Sequence, residues 1–99
     1  MPAPVISLDG RRVLVTGAAR GLGRAFAEAA AAAGARVVIA DVLEERGRQT
    51  ETELAAAGRD VRFVRFDQAD PKSIAALVDE AAKRLGGIDG VVNNAAIAT

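Results

Sequence analysis

The residues with the most specific chemistry are Gly17-Ala18-Ala19-Arg20-Gly21-Leu22-Gly23, in which the glycines are spaced four and then two apart. A short apolar run, Val13-Leu14-Val15, enters this stretch, and a helical pattern leaves it. The first turn of such a helix presents backbone N–H groups with no partner inside the helix, at the positive end of its dipole. An anion such as a phosphate satisfies both. Gly17 lets the chain turn, Gly21 lets a pyrophosphate approach without meeting a Cβ, and Gly23 lets the helix pack closely on the strand. A bare tight turn would also use glycine, but the order strand, loop, helix favours the phosphate reading.

A second chemical group is Asp41, at the tip of the run Arg36-Val37-Val38-Ile39-Ala40. In a dinucleotide held at the glycine loop, the adenosine ribose falls at this place. A carboxylate there accepts hydrogen bonds from both ribose hydroxyls, and a charged hydrogen bond contributes roughly 1.5 to 3 kcal/mol. A 2′-phosphate would meet a like charge instead, at a cost of up to about 4 kcal/mol for a charge pair 4 Å apart at an effective dielectric near 20. NAD is therefore expected over NADP, with Arg20 as the counterweight, because a guanidinium in the loop offsets a 2′-phosphate. Two other readings of Asp41 stay open: a loop or helix-capping carboxylate without a ligand, and an acid that binds S-adenosylmethionine.

The elements that must position these groups follow from the hydrophobic pattern. Short apolar runs alternate with longer helical ones, the rhythm of parallel strands joined by helices. Strands are expected at Val13–Val15, Arg36–Ala40, Val61–Phe66 and Val91–Val92. Between them, Leu22, Ala25, Phe26, Ala29, Ala30 and Ala33 recur at helical spacing before Gly34. Glu44 to Ala57 forms a mostly wet helix that Gly58 closes, and Asp70-Pro71 caps a third helix with a stripe of Ile74, Leu77, Val78, Ala81 and Leu85. Right-handed crossovers put the first two helices on one face and the third on the other. The result is an α/β, doubly wound parallel sheet of Rossmann type with strand order 3-2-1-4. The ligand crevice belongs at the C-terminal ends of strands one and four, where Gly17 and Asn94 lie. Residues 1–8 read as a flexible N-terminal arm and 9–99 as the dinucleotide-binding portion.

Composition removes other classes of function. The chain has 99 residues, with 13 basic and 13 acidic side chains interleaved to a net charge of zero, so no basic stripe exists for nucleic acid. It has no cysteine and no histidine, which excludes disulfides, thiolate chemistry and the commonest general base. With no secretory leader and no membrane-spanning run in the sequence, a cytoplasmic protein without membrane contact is expected.

The loop Thr16-Gly17-Ala18-Ala19-Arg20-Gly21-Leu22-Gly23 resembles the cofactor loop of the short-chain dehydrogenase/reductase family, and Asn93-Asn94-Ala95-Ala96 resembles the family's NNAG element. The resemblance runs from Leu8 to Ala98. It implies cofactor contacts at Gly17, Arg20, Gly21, Leu22 and Gly23, at Asp67 toward the adenine amino group, and at the backbone amide of Gln68. It also implies that Asn94 and Ala95 line the cofactor near the nicotinamide-side ribose. Ala96 stands where the motif has glycine, which reduces backbone freedom at that point. Asp67 and Asp70 also fit a plainer role as solvated or helix-capping carboxylates.

The family's catalytic groups are a serine and a Tyr-x-x-x-Lys pair, in which the lysine lowers the pKa of the tyrosine that exchanges the proton. This chain has no tyrosine, its serines are Ser7 and Ser73, and its lysines are Lys72 and Lys83. No catalytic residue is therefore assigned here. The expected protein is an NAD-dependent oxidoreductase acting on a small alcohol or ketone, with its catalytic portion beyond Thr99. The resemblance implies a homo-oligomer, dimer or tetramer, for the complete protein. The alternatives are a non-catalytic NAD-binding sensor and, less compatible with the glycine spacing, a methyltransferase.

Overall fold

Valine and isoleucine restrict the backbone to extended conformations and pack well on a pleated surface. The four runs that hold them are strands in the computed structural model, which describes residues 7–94. The elements are β1 (Arg12–Thr16), α1 (Gly21–Ala32), β2 (Arg36–Asp41), α2 (Glu44–Ala56), β3 (Val61–Arg65), α3 (Pro71–Leu85) and β4 (Gly90–Asn93). The sheet is parallel throughout with order β3-β2-β1-β4, as the crossover argument requires. Residues 1–6 of the expected arm, together with Ala95 and Ala96, lie outside the described residues. At Leu8 the chain is already tied to the fold: its N–H donates to the Ala33 carbonyl at 2.8 Å, and its side chain packs against the core.

Alternation along the strands divides the core in two. Val15, Val37, Ile39, Val61 and Phe63 point to the face covered by α1 and α2, where they meet Ala27, Ala31 and Leu54. Leu14, Val38, Ala40 and Phe66 belong to the other face, under Leu77, Ala81 and Leu85 of α3. The third strand ends one residue before the expected Phe66. There the backbone N–H of Phe66 still bonds the Asp41 carbonyl, and the ring joins the α3 side.

The two helical patterns that looked apolar need correction in detail. α1 seats on the sheet through Gly23, Ala27 and Ala31, while Leu22 and Phe26 stay 62% and 42% exposed. The seat beneath the glycine loop has no room for bulk, so small residues face inward and the large ones face out. In α3 the buried line is Leu77, Ala81 and Leu85; Ile74 and Val78 flank it and remain more than two-fifths exposed.

The helix ends follow the expected chemistry. The Asp70 carboxylate accepts from the Lys72 N–H at 3.0 Å, and Pro71 occupies the first turn of α3. Gly86 ends α3 in the left-handed region, at φ 80°. Two arginines then fasten that end to the sheet. Arg12 pairs with Asp89 at 2.9 Å and donates to the Gly86 carbonyl, and Arg36 donates to the Leu85 carbonyl at 3.0 Å.

Candidate cofactor site

The loop after β1 is built almost entirely from main chain. Gly17 turns at φ 65° and its N–H donates to the Ala40 carbonyl at 2.8 Å, which ties the turn to the end of β2. Gly21 opens α1 at φ 62°, a conformation costly to residues with a Cβ. A Cβ on Gly23 would collide with the Gly17 carbonyl and with the Asn94 amide. Gly17 and Gly23 thus serve the turn and the close packing expected of them, whereas what favours glycine at Gly21 is its left-handed backbone, since an added Cβ there would meet open space.

The three helices differ in what meets their N-termini. α3 is capped by Asp70, and α2 carries Glu44 and Glu45 in its first turn. α1 has neither: Arg20 at its N-cap makes no side-chain capping bond, and no acidic residue lies in the first turn. The amides of that turn and the dipole behind them are left for an anion from outside the helix.

Asp41 sits at the end of β2 with both carboxylate oxygens oriented. One accepts from the Ala19 N–H at 3.1 Å, the other from the Leu43 N–H at 3.0 Å. Each oxygen keeps acceptor capacity beyond that single bond. A cleft of about 240 Å³ lies alongside, lined by Gly17, Asp41, Val42, Phe66, Asp67, Gln68 and Ala69. It brings together four of the residues singled out in the sequence. Asp67 also performs a local task, since its carboxylate accepts from the Ala69 N–H at 2.9 Å, while its own N–H donates to the Ser73 hydroxyl.

Across the loop, Asn94 donates from its side chain to the Gly17 carbonyl at 3.4 Å and from its backbone to the Thr16 hydroxyl at 3.1 Å. Thr16 in turn donates to the Asn93 side-chain carbonyl at 3.0 Å. The ends of β1 and β4 are therefore cross-linked at the point where the strand order reverses. Arg20 stands apart, in a separate cleft of about 540 Å³ shared with Leu43, Glu44, Glu45, Arg46 and Gln49. Two arginines face two glutamates there, so the cleft carries no net excess of either sign. Leu22 is exposed at the first turn of α1.

Sequence reasoning missed Val42, Phe66 and Ala69 as walls of the smaller cleft. Val42 could have been found, because it follows the strand-end acid directly; Phe66 was read as strand and turns toward α3 only once the sheet is formed. Thr50 was also missed. It is wholly buried and donates to the Ala19 carbonyl. Among the described residues no cluster of His, Cys, Asp and Glu could hold a metal ion, and no helix is long and apolar enough to cross a membrane.

The donor set suits a dinucleotide: uncapped amides for a pyrophosphate, a cradle that a Cβ would fill, and an oriented carboxylate for a diol. Comparison with known proteins agrees. The short chain dehydrogenase family profile matches residues 11–99. A sorbitol dehydrogenase from Cereibacter sphaeroides is 48% identical over 90 residues, which cover 91% of this chain and 34% of that protein. A short chain dehydrogenase from Burkholderia cenocepacia in complex with NADP is 42% identical with a TM-score of 0.84, covering 91% of this chain and 37% of the other. A short chain dehydrogenase/reductase from Burkholderia phymatum in complex with NAD is 39% identical with a TM-score of 0.82, covering 86% and 30%. The chain thus spans about a third of the length of the curated relatives it matches. By sequence and by fold alike, it belongs to the short-chain dehydrogenase family.

Proposed function

We propose that these residues bind the adenosine and pyrophosphate of NAD, in preference to NADP, as the cofactor portion of an oxidoreductase acting on a small alcohol or ketone. The observation that carries the reading is Asp41, held by two backbone amides beside a cleft that also contains Gly17 and Asp67. Its carboxylate receives ribose hydroxyls and repels a phosphate on the same sugar. The uncapped N-terminus of α1 takes the pyrophosphate through its amides. Asp67 and the Gln68 amide flank the adenine. Asn94 faces the nicotinamide-side ribose, and the family resemblance implies cofactor contacts at Ala95 and Ala96 as well. Leu22 and Arg20 complete the contacts at the loop.

When bound, the nicotinamide supplies the hydride acceptor or donor. The protein's own part here is to hold the dinucleotide in one orientation by its non-reacting half. Substrate binding and proton transfer are assigned to the part of such a protein that these residues do not span. The relatives are about three times as long, and one is named for a polyol substrate. A homo-oligomer, dimer or tetramer, is the assembly the family resemblance implies for the complete protein.

The test is spectroscopic. The protein as its gene encodes it, mixed with NAD and a panel of secondary alcohols and polyols, should develop reduced-nicotinamide absorbance with at least one of them. Tight NAD binding in calorimetry with no turnover on any alcohol or ketone would point to a sensor, and no binding at all would reject the cofactor reading.

A further inference from the structure

A threonine inside a helix can direct its hydroxyl to the carbonyl four residues earlier. Thr52 does so, donating to the Arg48 carbonyl at 2.9 Å. Thr50, two residues before it, does not. It lies on the buried face of α2 with Gly47 and Leu54, and donates instead to the carbonyl of Ala19 in the glycine loop at 2.9 Å. The same hydroxyl accepts from the Arg24 guanidinium at 3.4 Å, and Arg24 is held by Glu28 and Glu53, each at 2.8 Å. Ala19 is gripped at its other end as well, because its N–H donates to Asp41.

We infer that Thr50 is a positioning residue for the cofactor loop, setting the orientation of the Ala19–Arg20 peptide that leads into α1. The inference rests on the NAD reading above. A peptide unit is planar and trans, so a carbonyl drawn down onto α2 turns the Arg20 N–H away from it. One hydroxyl therefore decides which way the last peptide before the helix faces. Asp41 holds the N–H of Ala19 and Thr50 its carbonyl; the first also meets the ligand, whereas the second is wholly buried and acts through the loop alone. Neither glycine spacing nor the strand-end acid predicts this contact, because its partners are 31 residues apart.

The experiment compares Thr50→Val, Thr50→Ser and Thr52→Val in the protein as its gene encodes it, by calorimetric titration with NAD and NADP. Thr50→Val keeps the shape and removes the donor. Its Kd for NAD should rise about tenfold, while Thr50→Ser stays within about twofold of the parent and Thr52→Val is unchanged. The ratio between NAD and NADP should not move, because Asp41 is intact. A Thr50→Val protein that binds NAD with the parent's Kd, whatever its melting temperature, would overturn the inference, as would a changed NAD-to-NADP ratio. If Thr50→Val fails to fold, Arg24→Met reads the same network from a partly exposed position. A Kd raised about threefold supports the inference and an unchanged one overturns it. A parent that binds no NAD removes the functional reading itself; a parent that binds while the variants match it removes only this role for Thr50.

Discussion

At Gly23 the difference between glycine and alanine is one carbon, and the structure has no place for it. The added Cβ would collide with the carbonyl of Gly17 and the amide of Asn94, two groups that hold the loop and the end of β4 together. Gly23→Ala should therefore cost about 1–3 kcal/mol of stability through overpacking and should weaken dinucleotide binding together with it. Chemical denaturation and NAD titration of the same variant check both halves; wild-type values in both would contradict the close seat of α1. The need for this glycine, and the place of Asp41, are legible from residue type and order, because both follow from where a strand stops and a helix starts. The contacts that orient Asp41 are not. They come from Ala19 and Leu43, whose side chains carry no signal, through amides that every residue has.

At the scale of the element, the chain shows what periodicity can and cannot carry. Strand positions, the Asp70-Pro71 start of α3 and its stop at Gly86 follow from local preference. The buried face of α1 does not, since its residues are apolar nearly all round and only packing selects Gly23, Ala27 and Ala31 over Leu22 and Phe26. The fastening of α3 to the sheet is equally invisible in sequence, because Arg12 and Asp89 are 77 residues apart. That contact has a pH signature. The Arg12 guanidinium and the Arg12 N–H hold the Asp89 carboxyl well below its ordinary value of 3.8. A group with a depressed pKa in the folded state contributes stability that is complete above the unfolded value and is lost as pH falls toward the folded one. Asp89→Asn should therefore destabilise the protein at neutral pH, and the gap between variant and parent should close as pH drops below 3.8. Urea midpoints measured across that range test the point; a gap independent of pH would show that the pair has no such role.

At the scale of the whole molecule, strand order 3-2-1-4 was legible because handedness leaves few alternatives once the elements are known. β4 is an edge of the sheet, and beside it a cleft of about 440 Å³ is walled by Leu14, Ile74, Leu77, Val78 and Val91, with Val91 59% exposed. An unpaired edge beside apolar surface favours association with another chain. The 99-residue chain expressed alone should self-associate as its concentration rises, seen as a mass above 10.2 kDa in light scattering; a monomer at every concentration would contradict this. The preference for NAD depends on a sugar without a phosphate at the tip of β2. The direct measurement is calorimetric titration of NAD and NADP into the parent protein and into Asp41→Ala. The parent should bind NAD more tightly than NADP, and the variant should lose about tenfold or more in NAD affinity and shift its preference toward NADP. An unchanged ratio between the two would contradict this.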